Sequence, residues 1–218
     1  NESELRFTVE PERGVRFGLT AIKNVGEGAI PSLLSVRASK GRIRSLHALA
    51  EDLDLRLANK RVFESLIKAG ALDSMAQGDA ALAGLPSHAT RARLFAAIDA
   101  ACDYGARVQR DRNEGQAQLF GGFGGGDTTS SVEAPALPAA QPWTDTEQLA
   151  YEKEALGLYW SGHPVDRFSA ELKDFGARSV LELAEAQPTA PRDNGWAASG
   201  PKPIEPDTSI GGIVAACR

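Results

Sequence analysis

The sequence predicts a mainly α-helical chain that opens with a short β-hairpin, and three observations carry that prediction. Apolar and polar residues alternate between positions 5 and 17, where Leu5, Phe7 and Val9 precede Val15 and Phe17. From Leu19 onward the apolar residues recur at the three-and-four spacing of a helical face. Two stretches, 121–142 and 187–209, are rich in Pro and small or polar residues; they cannot repay the entropy of ordering and read as linkers.

Each element has its own signal. Pro11 to Gly14 makes the hairpin turn. Leu19 and Ile22, then Ile30, Leu33 and Leu34, fit two short helices whose apolar faces meet, with a break at 24–28. Pro31 is tolerable only in the first turn of the second helix. The next helix carries Leu46, Leu49 and Leu53 on one side. A further helix starts at the N-cap residue Asn59, turns Val62, Phe63, Leu66 and Ile67 inward, and stops at Gly70. A longer helix spans 90–112, with Leu94, Phe95, Ile98 and Cys102 on its inner face. Past the first linker, Thr144 and Glu147 form a capping box that opens a helix through about Tyr159. Residues 164–175 give another helix with Val165, Phe168 and Leu172 inward, and a short one follows near Ser179. Ile210 to Ala216 reads as the first strand of a β-domain that is cut off.

Bulk properties bound the function. With 218 residues, 42% of them apolar, the chain can form one large domain or two small ones. Cys102 and Cys217 form no CxxC, so neither a metal centre nor a disulfide framework is indicated, which fits a reducing cytoplasm. No apolar run approaches a membrane span and no signal peptide precedes the first element, so no membrane partner is expected. The missing initial Met and the apolar run just before the last residue read as a piece of something longer. The net charge of −5 is unevenly spread: residues 14–72 carry ten Lys and Arg against five Asp and Glu, whereas residues from 114 onward carry seven against fifteen. An anion-seeking surface therefore belongs to the early part of the chain.

The chemistry is concentrated in Gly18 to Gly28, GLTAIKNVGEG. Two short helices joined by a glycine-containing turn form a helix-hairpin-helix, whose turn points unpaired backbone N–H groups outward with the positive end of a helix dipole behind them. A DNA phosphate oxygen is a suitable acceptor. Gly26 and Gly28 permit close approach, Val25 plugs the turn into the core, Lys23 adds a point charge, and Asn24 stands where such hairpins usually place their first glycine. The same helices would display the basic series Arg37, Lys40, Arg42, Arg44, Lys60, Arg61 and Lys68. The expected contact residues are Lys23, Asn24, Val25, Gly26, Gly28, Arg42, Arg44, Lys60 and Arg61. Readout of this kind ignores base sequence and weakens steeply with salt. A second, weaker hairpin signal lies around Ala69 to Asp73, closing a tandem module.

The segment GQAQLFGGFGGG, Gly115 to Gly126, holds a QxxLF peptide between glycines, with no local core for its Leu-Phe pair to enter. It is similar to the peptides by which bacterial replication proteins hold the ring-shaped sliding clamp. Gln116 would supply amide hydrogen bonds, and Leu119 and Phe120 the buried apolar area.

In order along the chain, GLTAIKNVGEGAI, NKRVFESLIKAGALDSM, QAQLF and EKEALGLYWSGHP resemble the C-family replicative polymerases of bacteria, the DNA polymerase III alpha subunits. The resemblance implies that residues 1–17 end a fingers region and 18–112 form a tandem helix-hairpin-helix module on duplex DNA. It also implies that 113–142 hold the clamp peptide and a flexible linker, 143–186 a helical connector, and 187–218 a linker and the truncated start of an OB-fold β-barrel. Duplex DNA, the sliding clamp and other replicase subunits are the implied partners. Asn24 and the glycine tract after Phe120 depart from the family pattern. The related error-prone C-family polymerase, or a non-enzymatic adaptor for DNA and clamp, are the alternatives.

Phosphoryl transfer needs a cluster of metal-binding carboxylates, and the resemblance puts the palm carboxylates and their Mg²⁺ upstream of these residues. Acidic residues here are expected on polar helix faces or in linkers. None is assigned a catalytic role, no cofactor is expected in this segment, and it should be inactive alone. His47, His88 and His163 read as structural or solvated, and Trp143, Trp160 and Trp196 as packing for helix ends.

Overall fold

The computed structural model describes residues 1–10, 14–121, 133–186 and 208–214, with side chains omitted at 115–121 and 185–186. Two compact units divide the chain, Asn1–Ser161 and Gly162–Arg218.

The alternating pattern near the start forms the expected antiparallel hairpin. Strand β1, Thr8–Glu10, pairs with β2, Gly14–Arg16, in the register Thr8↔Arg16, Val9↔Val15, Glu10↔Gly14. Three of the residues of the expected turn, 11–13, lie outside the described residues; Gly14 takes a positive φ of 87°. The hairpin's base is tied down by backbone: the amides of Leu19 and Thr20 donate to the carbonyls of Glu4 and Leu5 at 3.0 and 3.2 Å.

Five helices and their turns build the core of the first unit. Helix α1, Ala29–Lys40, has Pro31 in its first turn, where the missing N–H costs nothing, and Gly41 past its end at φ 74°. Helix α2, Leu46–Asp52, is capped by the Ser45 hydroxyl, which accepts from the Ala48 amide at 3.1 Å. Helix α3, Lys60–Lys68, is capped by the Asn59 side chain and followed by Gly70 at φ 74°. Its inner residues Val62, Phe63, Leu66 and Ile67 are all buried, each contributing roughly 1.5–3 kcal/mol relative to exposure. The single helix expected over 90–112 is instead two, α4, Ser87–Ala96, and α5, Ile98–Gly121. Ala97 carries the break with its amide shared between the carbonyls of Arg93 and Leu94. A fully buried alanine gives no turn signal, so the break leaves no mark in the sequence.

Helix α5 crosses α2 closely, because Gly105 sits against the Ala50 backbone where a Cβ would collide with the carbonyl. It also runs further than expected, through Gly121, so the backbone of Gln116, Leu119 and Phe120 lies in its last turns and not in a free segment. Residues 122–132, half of the linker expected over 121–142 and the end of the glycine tract, are outside the described residues. Its remainder, 133–142, forms no regular element, yet Leu137 within it and Trp143 just after it pack against the core.

Helix α6, Asp145–Leu156, opens with the expected capping box: Thr144 accepts from the Glu147 amide at 3.2 Å, and Glu147 accepts from the Thr144 amide at 2.8 Å. It ends earlier than expected, at Gly157 in the left-handed conformation, φ 81°. This helix packs on α3 within the first unit, so the stretch 143–186 is divided between the two units. Trp143 meets the rings of Phe95 edge-on and Tyr151 at a tilt, with centroids 5.8 and 4.6 Å away. His47 is buried edge-on to Tyr104, and burial lowers its pKa. Trp196 is outside the described residues.

The second unit holds α7, Ser169–Asp174, and α8, Val180–Ala186, with one 3₁₀ turn at Asp166–Phe168 in place of the first half of the helix expected over 164–175. Val165, Phe168 and Leu172 are half-buried as expected. The β-strand expected from Ile210 is not formed among the described residues 208–214, and no OB-fold barrel is present among them. A strand needs a paired neighbour to satisfy its backbone, and the bond here is the Arg178 amide to the Ser209 carbonyl at 3.1 Å. Ile210, Ile213 and Val214 are correspondingly exposed.

Candidate nucleic-acid interface

The turn at 23–28 is shaped as a hairpin but with a shorter first arm than its spacing suggests: a single 3₁₀ turn, Leu19–Ala21, precedes it, and α1 follows. Leu19, Ile22 and Val25 are buried, so Val25 anchors the turn in the core as expected. Asn24 adopts φ 63°, the one described non-glycine residue in the left-handed region, which explains an Asn where glycine would serve. Its side-chain amide donates to the Ser65 hydroxyl on α3 at 3.3 Å. From the other side, the Lys23 amide donates to the Ala155 carbonyl at the end of α6 at 2.8 Å. The turn is thus gripped between two helices that follow it in sequence.

Its outward side is open. Among the described residues the amides of Gly26, Glu27 and Gly28 meet no protein acceptor, and Gly28, at the head of α1, has no side-chain cap. A Cβ on Gly26 would meet nothing within 4 Å, and one on Gly28 would only touch Leu57. Free N–H groups ahead of a helix, with its dipole behind them, make a ready anion cradle.

The expected contact residues separate into groups. Lys23, Asn24, Val25, Gly26 and Gly28 form the turn, and Arg61 lies one turn before Ser65 on the α3 face that receives Asn24. Arg42 and Arg44 lie past the opposite end of α1, which is about 18 Å long. There Arg42 donates to Gln77 at 2.7 Å, and Arg44 packs by Gly78. Lys60 is exposed but paired with Asp99 at 2.6 Å. In the wider basic series, Arg37 pairs with Glu4, Lys40 with Asp52, and Lys68 with Glu154. The charge surplus of 14–72 is therefore partly neutralised by carboxylates from other segments, which a count along the sequence does not register.

The second hairpin signal, Ala69–Asp73, is a turn whose polar groups point inward. Asp73 accepts two-pronged hydrogen bonds from Arg91, which also donates to Glu152 at 2.8 Å. Glu152 is fully buried and in turn accepts from the amides of Trp160 and Ser161, both at 2.9 Å. Burial alone would raise its pKa, but the Ser161 amide, Arg91 and the Trp160 amide outweigh it and hold the carboxyl below its ordinary value. Asp73 and Glu152 are thus not on polar faces as expected. The spacing of Glu152 to the YWSG loop was the available signal, since a buried carboxylate requires donors close by. Among the described residues no cluster of His, Cys, Asp and Glu could hold a metal ion, and no helix is long and apolar enough to cross a membrane.

Comparison with known proteins agrees with this geometry. Residues 1–82 match the helix-hairpin-helix motif family. The chain is 34% identical over 192 residues to DNA polymerase III subunit alpha of Pseudomonas aeruginosa, covering 87% of this chain and 16% of that protein. It is 38% identical over 185 residues to the Thermus aquaticus subunit, covering 85% and 13%, and 34% identical over 200 residues to that of Vibrio cholerae, covering 92% and 16%. Over most of its own length, therefore, this chain is homologous to a short segment of the DNA polymerase III alpha subunit.

Proposed function

We propose that this chain is the DNA-gripping and clamp-tethering segment of a bacterial DNA-directed DNA polymerase that copies the chromosome. The observation that carries the first half is the open turn at 23–28, with three unpartnered amides in a chain homologous to polymerase subunits. Those amides, with Lys23 and Arg61, hold the phosphate backbone without reading bases, and Arg42 and Arg44 contact it at a second point. Gln116, Leu119 and Phe120 tie the chain to the sliding clamp. Two modest attachments acting together raise retention through effective concentration, which is processivity. The phosphoryl-transfer carboxylates and their Mg²⁺ belong to other parts of the polymerase, and the segment alone extends no primer.

The test is duplex binding by fluorescence anisotropy. Gly26→Val combined with Lys23→Ala should weaken binding alike on duplexes of unrelated sequence, because a larger side chain at Gly26 fits the free chain and obstructs only an incoming phosphate. A changed sequence preference, or unchanged binding, would sink backbone readout at this turn.

A further inference from the structure

Helix α6 comes from the acidic half of the sequence, and its segment Glu152-Lys153-Glu154 reads as net negative. Its fold redistributes that charge. Glu152 points inward and is consumed by Arg91 and two backbone amides. Glu154 is neutralised by Lys68 of α3, at 2.9 Å. Lys153 remains outward and exposed, and among the described residues it has no carboxylate partner. Its ammonium lies over the Tyr159 ring, 5.1 Å from the centroid, which limits its freedom without cancelling its charge.

The location matters as much as the charge. Lys153 is one helical turn before Gly157, whose amide bonds back to the Lys153 carbonyl at 3.0 Å. Gly157 also lies beside the Lys23 ammonium. The Lys23 amide is hydrogen-bonded to Ala155 between them. The hairpin turn and the last turn of α6 therefore share a boundary, along which Lys23 and Lys153 are exposed and positive, while Glu27 is the exposed carboxylate of the turn.

We propose that the C-terminal turn of α6 is a second arm of the nucleic-acid contact, with Lys153 binding a backbone phosphate next to the one held at the 23–28 turn. This rests on the reading of that turn as a duplex-binding hairpin. The ligand is the sugar-phosphate backbone of duplex DNA, and the contact carries no base preference. Its position also couples DNA binding to the buried Glu152 cluster, since that cluster sets which side of α6 faces out.

Equilibrium binding of the whole chain to a short duplex, measured over a series of salt concentrations, tests the proposal. Lys153→Ala should lower the slope of log K against log salt by about 0.9, the loss of one phosphate contact, and Lys153→Glu should weaken binding further. Arg107→Ala, which removes the same charge from an exposed position on α5, should leave the slope unchanged. Wild-type slope and affinity in Lys153→Ala, alongside weakened binding in Gly26→Val, would overturn this proposal and keep the hairpin reading. Wild-type binding in both variants would overturn both, and an equal loss in Arg107→Ala would reduce the effect to net charge.

Discussion

Arg91 and Glu152 form an ion pair of 2.8 Å whose side chains are only 5% and 0% exposed, and Asp73 completes it from the turn after α3. Gly70 is what makes room for it, since a Cβ there would collide with the guanidinium. Removing one partner leaves an uncompensated buried charge, so Glu152→Ala should cost about 3–5 kcal/mol in a denaturant titration. The acid limb of stability gives an independent reading. The Glu152 pKa lies below its ordinary value of 4.5 in the fold, so its contribution is complete above that value and is lost as pH falls through the folded one. Glu152→Gln should therefore flatten the loss of stability below about pH 4.5; an unchanged acid limb would assign it to other carboxylates.

Asn24 makes the hairpin's left-handed turn at φ 63° and bonds to Ser65. A β-branched side chain in that conformation costs roughly 1–2 kcal/mol, so Asn24→Val should lower the unfolding midpoint clearly more than Asn24→Gly, which loses only the side-chain bond. Equal effects would show that the bond, and not the backbone, makes Asn the residue here.

What was legible in the sequence follows from range. Helices α2 and α3, the capping box at Thr144 and the glycine stop at Gly70 rest on residues within one or two turns of each other, and their signals are local. The turn at 23–28 was legible for the same reason. The Asp73–Arg91–Glu152 cluster joins residues 79 positions apart at its extremes, and beyond the short step from Glu152 to the Trp160 and Ser161 amides no local pattern encodes it. Lys60, Lys68 and Arg37 look like a binding face until their partners Asp99, Glu154 and Glu4 are brought to them by the fold. The strand at Ile210 illustrates the opposite error, because its β-propensity is local while its partner strand is not.

Gly105 is a further position where only the tertiary contact is informative. It reads as a weak spot in α5, yet it is the close-approach point between α5 and the Ala50 backbone of α2. Alanine normally favours a helix by about 1 kcal/mol over glycine. Gly105→Ala should nonetheless destabilise the first unit, because a Cβ there must push the two helices apart. A raised melting temperature in circular dichroism would show that the crossing is looser than this packing.

The proposed clamp peptide has a defined form in the free chain, because the backbone of Gln116 to Phe120 continues α5. Gln116, Leu119 and Phe120 fall at i, i+3 and i+4, so they share one helical side, but glycines at 115 and 121 flank them and weaken the helix. A peptide that binds its pocket in extended form must first unwind these turns, and the glycines keep that step small. Leu119→Ala with Phe120→Ala should abolish binding to immobilised sliding clamp while leaving duplex affinity intact; loss of both would refute separate sites. Gly115→Ala then distinguishes the forms. It strengthens the helix by about 1 kcal/mol, so an extended bound state predicts clamp affinity reduced roughly five-fold. Unchanged or tighter binding would mean that the clamp receives the segment as the helix it forms in the free chain.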